Sequence, residues 1–252
     1  MNAAFPSVAE VVPGLHRVRA GRDGFDNCYL LESGGELVLY DAGSPRHEDV
    51  IVRAIEAIGR NPADLTWIVV SHLHIDHVGS AVALRELTGA GILMSETDAA
   101  AARDGWSSRG LRIRAGLASV LMERNAGADL TSPARMTPVD VDGYLHAGES
   151  VPGLPGTELV ATPGHCAGQM SLMWHRRGGI LLAADAASNN GAVTPPPIGE
   201  DIELGDRTFA ELAERAFDVA VFGHGEPVTS GARDAFRRYL GAGDDRRPDR
   251  GS

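Results

Sequence analysis

Cysteine is scarce in this chain: Cys28 and Cys166 are the only two in 252 residues, and neither sits in a CxxC pattern. That excludes a thiolate zinc site, a dithiol redox pair and a disulfide framework, and it makes a reducing, cytoplasmic compartment the expectation. Long hydrophobic runs are missing as well. No window approaches the roughly 18 apolar residues that a membrane span needs. The opening segment MNAAFPSVAEVV has no basic stretch leading into an apolar one, so no export signal is read there. Positive charge is the third deficit: 23 Lys and Arg stand against 34 Asp and Glu, a formal net charge of −11. Such a balance repels phosphate backbones and anionic lipid. Nucleic acid and membrane are therefore excluded as partners, a small molecule is the expected substrate, and a homodimer stays open.

What is present points to a globular chain with a real core, since 43% of residues are hydrophobic and 23% charged. The length suits one layered α/β domain, placed at residues 1–240, with a polar tail over 241–252 read as mobile. Short β-like runs cover 8–19, 27–32 and 36–40, the last two joined by the turn Ser33-Gly34-Gly35. Ser44 is expected to cap a helix with Pro45 at its first position; Ile51, Ala54, Ile55 and Ile58 share its face and Gly59 ends it. A buried strand over 66–70, a loop over 71–79 and a helix over 80–87 follow. A helical insert is expected at about 97–135, with Leu117, Val120 and Leu121 on one side and Arg109, Arg112 and Arg114 read as a solvated face. Strands return at 157–161, 170–174 and 180–184, and the Pro-rich run 194–197 is a loop that cannot be regular sheet. Helices at 209–216 and 232–240 flank a last strand at 218–222.

The chemistry lies in Ser71-His72-Leu73-His74-Ile75-Asp76-His77-Val78-Gly79, directly after an apolar strand. In an extended chain residues two apart point the same way, so His72, His74 and Asp76 are expected to converge while His77 turns toward a neighbour. Four metal-ligating side chains in so short a stretch can serve two ions. A chance HxHxDH in a chain of this composition has odds on the order of 1 in 1,000. Three later residues complete a set: His165 in Thr162-Pro163-Gly164-His165, Asp185 at the end of an apolar strand, and His224 in Gly223-His224-Gly225. Each stands at or just after the C-terminal end of a strand, above a rigid sheet. The glycines beside two of the histidines allow close approach of backbone to the site. Imidazole and carboxylate without thiolate suit zinc, and also iron or manganese.

With HxHxDH, a later His, a strand-end Asp and a final His in this order, the chain resembles the metallo-β-lactamase superfamily over about residues 27–226. The resemblance implies an α/β (α+β) fold, a four-layer αββα sandwich with metals at one edge between the sheets. It assigns His72, His74 and His165 to a first metal and Asp76, His77 and His224 to a second. Asp185 bridges them, and two zinc ions per chain are implied. Zinc β-lactamases often carry a cysteine where this chain has Asp185, and Cys166, beside His165, does not fill that role. The resemblance is therefore to the glyoxalase II, lactonase and thioesterase branches. The long stretch between His77 and His165 departs from compact glyoxalase II-like members. The short one after His224 leaves no room for the helical domain with which glyoxalase II holds glutathione. The insert and the 194–197 loop are expected to shape the pocket.

The implied reaction is hydrolysis of an ester, thioester or lactone of a small molecule by a hydroxide held between the metals. Asp76, which both binds metal and orients that hydroxide, is the expected catalytic residue. Asp41, ending the run 36–40, is placed to accept the second N–H of a metal-binding histidine. His16, His47, His146 and His175 carry no motif and read as surface or packing residues, and Cys28 as core. Three other readings are a phosphodiesterase, an iron-dependent persulfide dioxygenase and a noncatalytic metal-binding or sensor protein. The acidic single domain opposes the first, the second set of ligands opposes a single iron, and the intact Asp76 opposes the third.

Overall fold

Along the adjacent runs 26–33 and 36–40, Leu30, Leu37 and Leu39 fall on one face and Tyr29, Leu31, Val38 and Tyr40 on the other, and both sets are buried. A sheet apolar on both faces must be covered twice. The computed structural model, which describes residues 8–20, 25–115 and 131–244, shows the two covers. In chain order its first half runs β1 (Val8–Val12), β2 (Leu15–Ala20), β3 (Asp26–Ser33), β4 (Glu36–Tyr40), α1 (Glu48–Ala57), β5 (Leu65–Val69), α2 (Ile75–Val78), α3 (Ala81–Thr88), β6 (Gly91–Ser95) and α4 (Glu96–Arg103). Four short strands follow, β7 (Trp106–Ser108), β8 (Arg112–Ile113), β9 (Ala134–Arg135) and β10 (Gly143–Leu145). The second half is β11 (Thr157–Ala161), β12 (Met170–Trp174), β13 (Ile180–Leu182), β14 (Ser188–Asn189), β15 (Val193–Thr194), β16 (Ile198–Gly199), α5 (Ile202–Glu214), β17 (Val219–Val221) and α6 (Ala232–Asp244).

The larger sheet has the order β1-β2-β3-β4-β5-β6-β10, antiparallel as far as β4 and parallel beyond it. The smaller is β11-β12-β13-β17, with β13 and β17 its parallel pair. Tyr29, Leu31, Val38, Val69 and Leu93 of the first meet Leu159, Leu172, Trp174, Ile180, Leu182 and Val221 of the second. On the far side of the large sheet Ile51 and Ile55 of α1, Leu84 of α3 and Ala99 of α4 cover Leu30, Leu39, Ile68 and Ile92. On the far side of the small one Phe209 and Leu212 of α5 and Phe236 of α6 cover Met173, Leu181 and Ala220. The result is the expected αββα sandwich. Each large apolar side chain removed from water contributes about 1.5–3 kcal/mol, so these three layers carry the stability. Among the described residues no helix is long and apolar enough to cross a membrane.

Hydrogen bonds at one edge lock the sheets in register where the sites will form. Tyr40 Oη donates to the Met170 carbonyl (2.8 Å) and Tyr29 Oη to that of Phe222 (2.7 Å). The N–H groups of Asn27 and Met170 donate to the carbonyls of Gly223 and Ser71, each at 2.9 Å. The C-terminal ends of β4, β5, β13 and β17 thereby come together.

Several local expectations are corrected. Ser44 does not cap α1: its hydroxyl donates to the Asp26 carboxylate at 2.6 Å, a charged acceptor from another strand, and the helix begins later with His47 in the cap position and no side-chain cap. The loop over 71–79 contains a helical turn, α2, led by His74. Within the expected insert α4 is helical, but the chain then extends into β7, β8 and β9; Leu117, Val120 and Leu121 fall outside the described residues. Thr194 closes β15, which pairs with β14, so only Pro195 to Pro197 of the Pro-rich run stays outside sheet. The last helix continues through Gly241 to Asp244, anchored by Phe236 against Phe209 at a ring separation of 4.7 Å, and residues 245–252 are not among those described.

Candidate metal centre

Each of the seven side chains singled out by sequence comes to the same edge of the sandwich. His72, His74 and His165 offer nitrogens within 4.8 Å of one another, as do His72, His77 and Asp185 with their ligand atoms, and likewise Asp76, His77 and His224. The turn at α2 explains a departure from the extended-chain expectation. Because the backbone coils after His74, Asp76 swings away from His72 and His74 and joins His77 and His224 instead. Asp185 lies between the groups: its Oδ2 is 3.3 Å from His165 Nε2 and 3.3 Å from His224 Nε2.

The backbone is shaped to deliver these groups. Asp41 follows β4 with φ of 63°, a left-handed conformation that, glycine aside, Asn and Asp tolerate best. Its carboxylate accepts from Ser71 N–H (2.7 Å), Ser71 Oγ (2.9 Å) and His77 Nδ1 (2.9 Å). Gly223, before His224, lies so close to the site that a Cβ there would overlap Asp185 Oδ1 and press on the His77 ring. Gly164, at φ of 130°, meets the backbone of Gly205 in the same way. The glycines beside His165 and His224 are thus required by contact, as expected from their positions.

Outer hydrogen bonds fix which nitrogen of each ring faces inward. His77 Nδ1 donates to Asp41, His165 Nδ1 to the Ile198 carbonyl (2.8 Å) and His224 Nδ1 to the Phe25 carbonyl (3.2 Å). The Ser71 hydroxyl, already donating to Asp41, accepts from His72 Nδ1 at 2.9 Å. With the outer nitrogens protonated, four Nε2 lone pairs point inward. His74 takes the opposite sense, its Nδ1 standing 3.0 Å from His72 Nε2 and 2.9 Å from His165 Nε2. Three unprotonated nitrogens this close repel one another unless a cation sits among them. At the second group His77 Nε2 and Asp185 Oδ1 are buried with no hydrogen-bond partner, a costly state for polar atoms that lack a ligand. The residues therefore fit metal ions at both positions.

Electrostatics say the same. Burial pushes His72 and His74 down, His74 to about 3, with His77 and His165 adding to the effect, so both stay neutral, as ligands must. Burial also opposes charge on His77, yet Asp185, Asp41 and Asp76 outweigh it and raise the ring well above its usual value. The Asp185 carboxyl is held well below the usual range, because His224 and His77 overcome the penalty of burial. This end of the site is built for positive charge, either a proton on the His77 ring or a cation that takes its place at Nε2.

Sequence reasoning missed several supporting groups. The carbonyls of Phe25 and Ile198 carry no sequence signature. Phe25 also stacks its ring on His224 at 4.5 Å and is 51% exposed, which puts an accessible apolar ring beside that ligand group. Arg109, expected on a solvated face, turns inward to Asp98 (2.8 Å) and Glu200 (3.1 Å), and Arg114 pairs with Asp206 (2.6 Å). α4 and the β16–α5 segment place carboxylates within reach of both arginines, Asp98 and Glu200 buried or partly buried and Asp206 exposed. His16 and His175 pair with Glu32 and Glu158, and Cys28 is buried in the core, as ordinary residues do.

Comparison with known proteins gives the same picture. The model of the metallo-β-lactamase superfamily matches residues 21–225. A Bacillus subtilis protein, YobT, is 30% identical over 172 residues, 66% of this chain, and the match spans 64% of that protein, just under two thirds of its length. The N-acyl homoserine lactonase of Bacillus cereus is 26% identical over 243 residues, covering 84% of this chain and 86% of the lactonase. Among solved structures, the subclass B3 metallo-β-lactamase BJP-1 of Bradyrhizobium japonicum superposes with a TM-score of 0.65 at 21% identity, over 95% of this chain and 92% of that one. MIM-1 of Novosphingobium pentaromativorans gives 0.68 at 22% identity, over 95% and 89%. At these identities the structures speak for the fold alone.

Proposed function

Because this chain belongs to the metallo-β-lactamase superfamily, we propose that it is a dinuclear metal-dependent hydrolase that cleaves an ester, thioester or lactone of a small molecule. The observation that carries the reading is Asp185, whose Oδ2 is equidistant, at 3.3 Å, from a histidine of each ligand group. One carboxylate so placed serves two positions at once. His72, His74 and His165 would hold the first ion, Asp76, His77 and His224 the second, with Asp185 shared. Zinc suits this set best, and iron and manganese share its preferences. When bound, such ions supply a water that ionises near neutral pH and a Lewis acid for the carbonyl and the leaving group.

The chain's own residues do the rest. Ser71, Asp41 and the carbonyls of Ile198 and Phe25 hold four imidazoles in the tautomer that turns Nε2 inward. Asp76 differs from the other ligands in exposure: its side chain is 31% accessible against 10% for Asp185. It is therefore the carboxylate that meets incoming water, accepts its hydrogen bond and can carry a proton toward the leaving group. The Phe25 ring offers an apolar surface to the part of a substrate that does not react. The lactonase relatives favour a cyclic ester among the three substrate classes.

The test is a panel of aryl esters, thioesters and lactones assayed with metal-loaded protein, chelated protein and Asp76→Ala. Turnover that vanishes on chelation, returns with zinc and falls at least about 100-fold in Asp76→Ala supports the reading. Equal rates in wild type and Asp76→Ala at full metal content would overturn it.

A further inference from the structure

Asp98, in the first turn of α4, is completely buried, and no step of the proposed reaction uses it. Its Oδ2 accepts from the Leu73 N–H at 3.1 Å, the amide between His72 and His74, and from Cys166 Sγ at 3.1 Å, the residue after His165. Its Oδ1 accepts from the Gly168 N–H at 3.2 Å and from Arg109 Nη2 at 2.8 Å. A single carboxylate thus touches both loops that bear the three histidines of the first position. The contact is tight, since a Cβ on Gly168 would overlap that carboxyl.

Arg109 extends the bracket. Its guanidinium also donates to the Thr97 carbonyl (2.8 Å) and to Glu200 Oε1 (3.1 Å), while Glu200 Oε2 accepts from the Ala167 N–H (3.1 Å). His74, Cys166 and Glu200 present ligand-type atoms within 4.8 Å of one another, and His74 Nε2 is buried without a hydrogen-bond partner. The main chain makes a second connection: β8 pairs antiparallel with β16, whose Ile198 carbonyl orients His165. A buried ion pair is weak evidence for stability, because its desolvation cost rivals its Coulombic gain. This one lies where a small displacement would move three metal ligands.

We propose that Asp98, braced by Arg109, is a positioning residue that fixes the His72–His74 loop against the His165 loop and so sets the geometry and affinity of the first metal position. The proposal rests on the metal-dependent reading above and adds to it a role for residues that touch no metal. Asp98→Asn keeps the shape of the side chain but replaces an acceptor oxygen by a donor NH2, so the four contacts cannot all be kept. The loops then lose their common anchor, as outer partners of metal ligands do when removed.

Zinc affinity is measured by competition with a chromophoric chelator, and coordination by the visible spectrum of the cobalt(II)-substituted protein, for wild type, Asp98→Asn, Arg109→Gln and Arg114→Met. Asp98→Asn is expected to weaken one of the two zinc-binding steps by about 10–100-fold and to alter the cobalt spectrum, with the other step unchanged. Arg109→Gln shifts the same step in the same direction and poses the question again if Asp98→Asn fails to fold. Arg114→Met, which breaks the pair with Asp206 and the bonds to the Pro196 carbonyl but no contact of Asp98 or of the two histidine loops, leaves both steps as they are. Wild-type affinities and an unaltered cobalt spectrum in folded Asp98→Asn or Arg109→Gln, whatever their melting temperatures, would overturn the proposal. A wild-type protein that binds no zinc or cobalt would instead sink the metal reading itself.

Discussion

His77 depends on a residue outside the proposed ligand set. Asp41 accepts from its Nδ1 at 2.9 Å and also from the Ser71 N–H and hydroxyl, so one carboxylate orients the second-position ligand and the start of the HxHxDH loop. Asp41→Asn can offer His77 an acceptor or a donor but cannot satisfy three donors with one oxygen. Metal affinity at the second position should fall about 10–100-fold, read by chelator competition. Removal of a direct ligand is harsher. His72→Ala and His165→Ala should each lose bound metal by elemental analysis and unfold at lower temperature than wild type, and full metal content in either would contradict its assignment.

The strand ends and the turns after them place the ligands, and glycine makes that placement possible. At Gly223 a Cβ would overlap Asp185 Oδ1 and crowd His77, and the amide is already tied to the Ala184 carbonyl at 3.0 Å, so the backbone has nowhere to retreat. Gly223→Ala is therefore expected to leave the fold visible by circular dichroism while cutting metal content and turnover by an order of magnitude or more, about the loss assigned to outer partners of metal ligands. Normal metal content in this variant would show that Asp185 is not held where the structure places it. The same elements show what a sequence can and cannot tell. The candidate ligands, which the structure brings to one edge, were legible because HxHxDH, Gly-His and a strand-end Asp are local patterns of side-chain chemistry. The acceptors at Phe25 and Ile198 were not, because every residue has a carbonyl and only tertiary structure aims it. Arg109 read as surface because its carboxylate partners, Asp98 and Glu200, come from two other segments. Ser44 read as a helix cap because the competing acceptor, Asp26, lies on another strand.

Taken whole, the sandwich gathers a cluster of inward lone pairs and carboxylates at the junction of two sheets, which the proposed metals would reconcile. The apolar layers fold the chain, and bound ions add stability by mass action, about 2.7 kcal/mol at a free concentration 100 times the dissociation constant. For a domain of this size that corresponds to roughly 5–10 °C in melting temperature. Chelation should lower the thermal midpoint by that amount, and zinc should restore it; a midpoint indifferent to chelator would count against metal binding. The most direct test of the central claim is to titrate metal-stripped protein with zinc and follow hydrolysis of the best ester, thioester or lactone in the panel. Activity is predicted to rise to a plateau at two equivalents per chain and to collapse on chelation. A protein equally active with no metal, or inactive at every ratio while binding two ions, would contradict the account.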